Sequence, residues 1–79
     1  MMTREEAGTV ILDIFKDECE KPGVGLTNKL VHEQYFRRTE SGLGFFEGIN
    51  YLLERRWLAA MEGQANTHAL TKAGWRVDA

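Results

Sequence analysis

Apolar residues recur at helical spacing through the first two thirds of this chain, and the pattern changes abruptly at Arg56. Before that point three stripes repeat every three or four residues. They are Ala7, Val10, Ile11, Ile14, Phe15 and Cys19; then Leu30, Val31 and Tyr35; then Phe46, Ile49 and Leu53. After it the apolar residues fall into short runs. Trp57-Leu58-Ala59-Ala60-Met61 and Thr67-His68-Ala69-Leu70 flank Glu62-Gly63-Gln64-Ala65-Asn66, which reads as the turn of a hairpin. A chain with this switch is mainly α with a small β-hairpin, an α+β fold. Its 79 residues suit one domain, residues 1–79, with a single core.

The punctuation sets the boundaries. Thr3 followed by Glu6 is a capping box that starts a helix over residues 4–20, and Lys21-Pro22-Gly23 ends it. Thr27 caps a second helix over residues 27–38, with Leu26 and Val31 placed as a hydrophobic staple. Thr39-Glu40-Ser41-Gly42 is a turn, and a third helix follows over residues 43–55, with Phe45 and Leu52 flanking its apolar stripe. Gly44 and Gly48 inside it each lose ~1 kcal/mol of helix propensity against alanine, a loss that close packing or a closely approaching partner would explain. The hairpin occupies residues 57–70, and Thr71 caps a short last turn. The expected core is Ile11, Ile14, Phe15, Leu30, Phe46, Ile49, Leu53, Leu58 and Leu70.

Composition excludes several classes. With 43% hydrophobic and 28% charged residues, the chain is ordinary globular protein, neither disordered nor membrane-spanning. Its start, Met1-Met2-Thr3-Arg4-Glu5-Glu6, lacks the apolar stretch of a secretion signal. Cys19 is the only cysteine, and an unpaired thiol fits a reducing compartment, so a cytoplasmic location is expected. With no disulfide and no metal motif the core must hold itself, and a homodimer would help it. The formal net charge is −2 but unevenly spread. In residues 1–20, Arg4 and Lys16 stand against six carboxylates. In residues 21–39, Lys21, Lys29, Arg37 and Arg38 stand against Glu33 alone.

Nothing points to an enzyme or a cofactor. His32 and His68 have no second ligand at metal spacing, and Cys19 falls on the apolar side of its helix, where it reads as a small hydrophobe. The glycines of Gly42-Leu43-Gly44 do not follow a strand, as a dinucleotide-binding loop requires.

The order of helix, helix, helix, hairpin and short tail resembles the winged helix-turn-helix superfamily, especially small bacterial regulators of the MarR and PadR type. Leu52-Leu53-Glu54-Arg55-Arg56-Trp57-Leu58 looks like the family's "LLERGWL", which leaves the recognition helix for the first wing strand. Ala69-Leu70-Thr71-Lys72-Ala73-Gly74 looks like the "LTxxG" that closes the second. Arg56 stands where the family has a glycine; a left-handed turn kept there costs on the order of 1 kcal/mol. The wing turn also lacks arginine and lysine.

The resemblance implies a small DNA-binding transcriptional regulator whose third helix enters the major groove of double-stranded DNA. On that reading Lys29, Arg37, Arg38 and Arg55 hold phosphates, Thr39 and Ser41 add hydroxyls, and Asn50 faces adenine. These groups should then share one side, with the acidic first helix turned away. The alternative is a winged-helix module that binds a protein instead. Tyr35, Phe36, Phe45, Tyr51 and Trp75 cannot all be buried in so small a domain, and Phe36, Phe45, Tyr51 and Trp75 are the candidate partner surface. The net acidity and uncharged wing favour this alternative; the resemblance favours DNA.

Overall fold

In the computed structural model, which describes residues 2–77, the expected capping box opens the chain. Thr3 accepts a hydrogen bond from the Glu6 amide, the Glu6 carboxylate accepts one from the Thr3 amide at 2.9 Å, and helix α1 runs Arg4–Glu18. A two-residue strand β1, Leu26–Thr27, leads into helix α2, Asn28–Thr39. The Thr27 hydroxyl caps α2 through the Leu30 amide. Helix α3, Phe45–Glu54, is followed by strands β2, Leu58–Ala60, and β3, Thr67–Leu70, and by a short helix α4, Lys72–Arg76. The fold is therefore α+β, with four helices and a three-stranded antiparallel sheet in the order β1-β3-β2 among the described residues.

The hairpin turns within Glu62–Asn66 as expected, pairing Leu58 with Leu70 and Ala60 with His68. Strand β1 was not expected. Two residues carry no legible alternation, and β1 exists because Leu26 and Thr27 pair with His68 and Thr67 across the chain.

The core lies between α1, α3 and the sheet. Ile11, Ile14, Phe15, Ile49, Leu58 and Leu70 are buried as expected, joined by Leu12, Val31, Tyr35, Phe45 and Leu52. Leu30 and Leu53 are only half-buried, and Phe46, expected inside, is 67% exposed. The expected phase of α3 is therefore off by part of a turn. Gly48 faces inward, and a Cβ there would come within 2.9 Å of the Ala7 Cβ and 2.8 Å of the Ile11 Cδ1. The two helices meet almost backbone to backbone, which turns Phe45, Ile49 and Leu52 in and Phe46 out. The close packing expected at Gly48 is therefore found, and the error lies in the stripe of large side chains, which placed Phe46 rather than Phe45 inside. Helix α3 also starts two residues later than expected, because Gly44 is left-handed at φ 83° and forms its N-cap.

The C-terminal end of α3 keeps the left-handed turn despite lacking glycine. Arg56 has φ 60°, its amide donates to the Leu53 carbonyl at 3.1 Å, and the Trp57 amide donates to the Leu52 carbonyl at 3.0 Å. That pair of bonds is a Schellman motif. The Thr71 hydroxyl then donates to the Arg56 carbonyl at 2.7 Å, tying the end of the hairpin to the end of α3. Gly74, three residues further on, lies against the Trp57 carbonyl so closely that a Cβ would overlap it.

Two substitutions test these contacts by thermal or denaturant unfolding. Gly48→Ala should lower stability by about 1–2 kcal/mol, because overpacking exceeds the ~1 kcal/mol regained in helix propensity. Arg56→Gly should raise it by about 0.5–1 kcal/mol by relieving the left-handed residue.

His68 offers a pH test. Its Nδ1 lies 2.8 Å from the Asn28 Oδ1, and burial lowers its pKa below the ordinary value of about 6.5. The unfolded chain then takes up a proton first, so stability is complete above that pH and falls as pH drops through it toward the folded value. Between pH of about 7 and 5, above the carboxylate range, this slope should be present in the parent chain and flattened in His68→Gln. Equal slopes in the two proteins would remove His68 as its source.

Candidate interaction surface at the α2–α3 corner

The residues that would meet phosphate do not form one continuous group. Arg37 donates to Glu33 one turn earlier at 3.1 Å. Arg38 reaches back to Asp17 of α1 at 2.5 Å, so the acidic first helix is a partner of this arginine rather than turned away from it. The guanidinium of Arg55 sits over the Tyr51 and Trp57 rings, 5.3 and 5.8 Å from their centroids. Lys29 is exposed at the opposite end of α2 from Arg37 and Arg38. The two ion pairs are exposed and contribute little to stability, but in each a carboxylate competes with any phosphate for the guanidinium.

The two hydroxyl candidates are occupied by the turn they stand in. Thr39 Oγ1 lies 2.8 Å from the Tyr35 carbonyl and 2.6 Å from the Ser41 carbonyl, and accepts from the Ser41 amide. Ser41 Oγ accepts from the Leu43 amide at 3.1 Å. Asn50 is exposed on α3, but the residues sharing that outer face are Phe46, Glu47 and Glu54. Arg4 pairs with Glu54; Glu47 has no cationic partner among the described residues.

The aromatic candidates divide. Phe45 is 1% exposed and belongs to the core, which corrects its expected place on a partner surface. Its ring meets His32, Tyr35 and Phe46 edge-on, with centroids 4.8, 5.5 and 5.3 Å away. Tyr51 and Trp75 are half-buried against the core. Phe36 is exposed as expected, at 55%. Leu43, 82% exposed, and Phe46 join it, and both were missed. Phe46 was missed through the phase of α3. Leu43 was missed because the expected third helix began at residue 43, whereas α3 begins at Phe45 and leaves this leucine in the turn between Gly42 and Gly44. Three of the large exposed hydrophobics thus come from one stretch, the last turns of α2, the connecting turn and the first turn of α3.

Beside this stretch lies a groove of about 510 Å³, walled by Met2, Leu43 and Gly44 and rimmed by Arg4 and Glu47. Its floor is held by Tyr35, whose buried hydroxyl donates to the Leu43 carbonyl at 2.8 Å and lies 3.5 Å from the Met2 sulfur. Burial, and then the Glu47 carboxylate, push that phenol above its ordinary pKa. The thiol of Cys19 is also raised, by burial and then by Glu18, and sits 3.7 Å from the Val24 carbonyl. Such a thiol is not primed as a nucleophile. No three His, Cys, Asp or Glu residues gather as metal ligands among the described residues, and no helix there is long and apolar enough to cross a membrane.

The bond from Tyr35 to Leu43 sets the shape of the corner. Tyr35→Phe should lose about 1 kcal/mol and speed amide exchange in residues 41–44 while leaving exchange in β2 and β3 unchanged. Comparison with known proteins finds no matching protein family, curated protein or solved structure.

Proposed function

We propose that this chain is a winged helix that acts as a protein-interaction module, with the α2–α3 corner as its contact surface. The order α1-β1-α2-α3-β2-β3, with β2 and β3 forming the wing, supports the architecture, as do the Leu52–Leu58 and Ala69–Gly74 stretches. The observation that carries the function is the face of the corner itself. This stretch exposes Phe36, Leu43 and Phe46, Leu43 shares a groove with Glu47, and Glu47 has no cationic partner among the described residues, while Arg4, Arg37 and Arg38 already hold carboxylates. Apolar side chains grouped beside polar ones are what a protein partner covers. Phosphates, by contrast, would meet Glu47 and Glu54 across the outer face of α3. A buried, unpaired Cys19 suits a reducing, cytoplasmic setting for such a module.

A second reading, DNA binding by a transcriptional regulator, is favoured by one observation: Asn50 is exposed on the outer face of α3, and Lys29 and Arg55 hold no carboxylate among the described residues. Two measurements separate the readings. Titration of the purified chain with nonspecific duplex DNA at low and raised salt should show no salt-sensitive binding. A photo-crosslinking residue placed at position 46 in cells should yield protein adducts that are absent when it is placed at position 72. Salt-sensitive duplex binding that Arg37→Ala with Arg38→Ala weakens, or nucleic-acid adducts at position 46, would establish the DNA reading instead.

A further inference from the structure

We infer that the groove between the start of α1 and the α2–α3 turn seats a cationic amphipathic helix of a partner protein, with apolar side chains entering the groove and lysine or arginine meeting Glu47. This rests on the protein-interaction reading and adds the chemistry of the partner.

The size and the walls come first. A space of about 510 Å³ walled by Met2, Leu43 and Gly44 is within the usual range of a binding cleft and takes large apolar side chains. The polar groups around it are already engaged. The Tyr35 hydroxyl donates to the Leu43 carbonyl, and the Thr39 and Ser41 hydroxyls hold the turn. An occupant therefore meets apolar surface at the floor and makes its polar contacts at the rim. Leu43 lines the groove and is exposed, and Phe46, in the first turn of α3, is exposed as well.

Charge at the rim selects the occupant. Of the two ionic groups there, Arg4 is held by Glu54, whereas Glu47 has no cationic partner among the described residues. The Glu47 carboxylate lies close enough to the floor to raise the Tyr35 phenol after burial has done so. Along α3, Glu47, Asn50 and Glu54 fall at three- and four-residue spacing, a polar line of about 10 Å in which Glu54 holds Arg4 and Glu47 is the carboxylate left open among the described residues. A helix laid against it can place basic residues at the same spacing and an apolar stripe toward Leu43 and the groove. A second copy of this chain fits less well, since a two-fold arrangement on this face sets Glu47 and Glu54 against their own counterparts. Nucleic acid meets the same carboxylates.

The test uses the full chain, isotopically labelled, and two synthetic amphipathic helices of about five turns with one leucine pattern, the polar positions lysine in one and glutamate in the other. The lysine peptide should bind at least about tenfold more tightly, and less so as salt rises. Its amide shifts should concentrate in residues 2–4 and 41–50. Glu47→Lys should weaken it by about fivefold or more and improve the glutamate peptide. Leu43→Ser with Phe46→Ser should remove binding of the lysine peptide. All three sites are exposed, and unchanged thermal unfolding of each variant confirms that the fold is kept.

Equal binding of the two peptides, no binding of the lysine peptide, shifts centred elsewhere, or indifference to Glu47→Lys would each overturn the proposal. So would self-association in sedimentation that Leu43→Ser with Phe46→Ser abolishes, which would make a second copy the occupant. If position 46 crosslinks to protein in cells while the lysine peptide fails, only the partner chemistry is wrong. If it crosslinks to nucleic acid, the protein-interaction reading falls as well.

Discussion

The contact of Gly48 with Ala7 and Ile11 is the constraint on which the rest of this structure depends. Because no side chain stands between them there, α1 and α3 approach until a Cβ on residue 48 would be under 3.0 Å from its neighbours. That approach buries Ile11, Phe15, Ile49 and Leu52 in one core and closes it over Tyr35 and Phe45. It also fixes the rotation of α3. With Gly48 inward, Phe46, Glu47, Asn50 and Glu54 must face outward, so the chemistry of the outer face follows from one missing side chain in the core.

The ends of the helices are fixed by backbone hydrogen bonds that tolerate some local strain. Glu40 at the end of α2 and Arg56 at the end of α3 are both left-handed, at φ 59° and 60°, where most helices use glycine. Each accepts the less favourable conformation because the bonds it enables position something else. The Glu40 amide donates to the Phe36 carbonyl and turns the chain toward Ser41 and Leu43. At Arg56, the Schellman bonds and the Thr71 hydroxyl join α3 to the sheet. The corner that carries Leu43 is thus a built feature, held by Thr39, Ser41 and Tyr35, and its exposed leucine is positioned rather than left over.

Electrostatics then decides what the corner presents. Arg38 to Asp17 joins α2 to α1, Arg4 to Glu54 joins α1 to α3, and Arg37 pairs along its own helix with Glu33. None of these exposed pairs adds much stability. They cover the positive charge nearest the corner, while Glu40 and Glu47 have no cationic partner among the described residues. Of the uneven charge along the chain, acidic first and basic in the middle, the Arg38–Asp17 pair brings one group from each stretch together.

What the sequence determined by itself is what short-range physics controls. The capping box at Thr3 and Glu6, the Thr27 and Thr71 caps, the turn within Glu62–Asn66 and the change from helix to strand near Arg56 all depend on residues within a few positions of one another, and all are legible in order. Most of the α1 stripe was legible too, with Ala7, Ile11, Ile14, Phe15 and Cys19 buried, although Leu12 is buried beside them and Val10 only partly so. The tertiary structure alone decided the rest. Strand β1 exists only through pairing with β3. The phase of α3 depends on a glycine whose value lies in the helix opposite it, and so the exchange of Phe45 for Phe46 at the surface was hidden. The candidate DNA contacts Arg37 and Arg38 were read as a basic cluster, but their partners are a carboxylate one helical turn away and another on a different helix. A side chain's neighbours along the chain set its local conformation; what it faces across the core, and therefore what it leaves for a partner, is set by packing between elements distant in sequence.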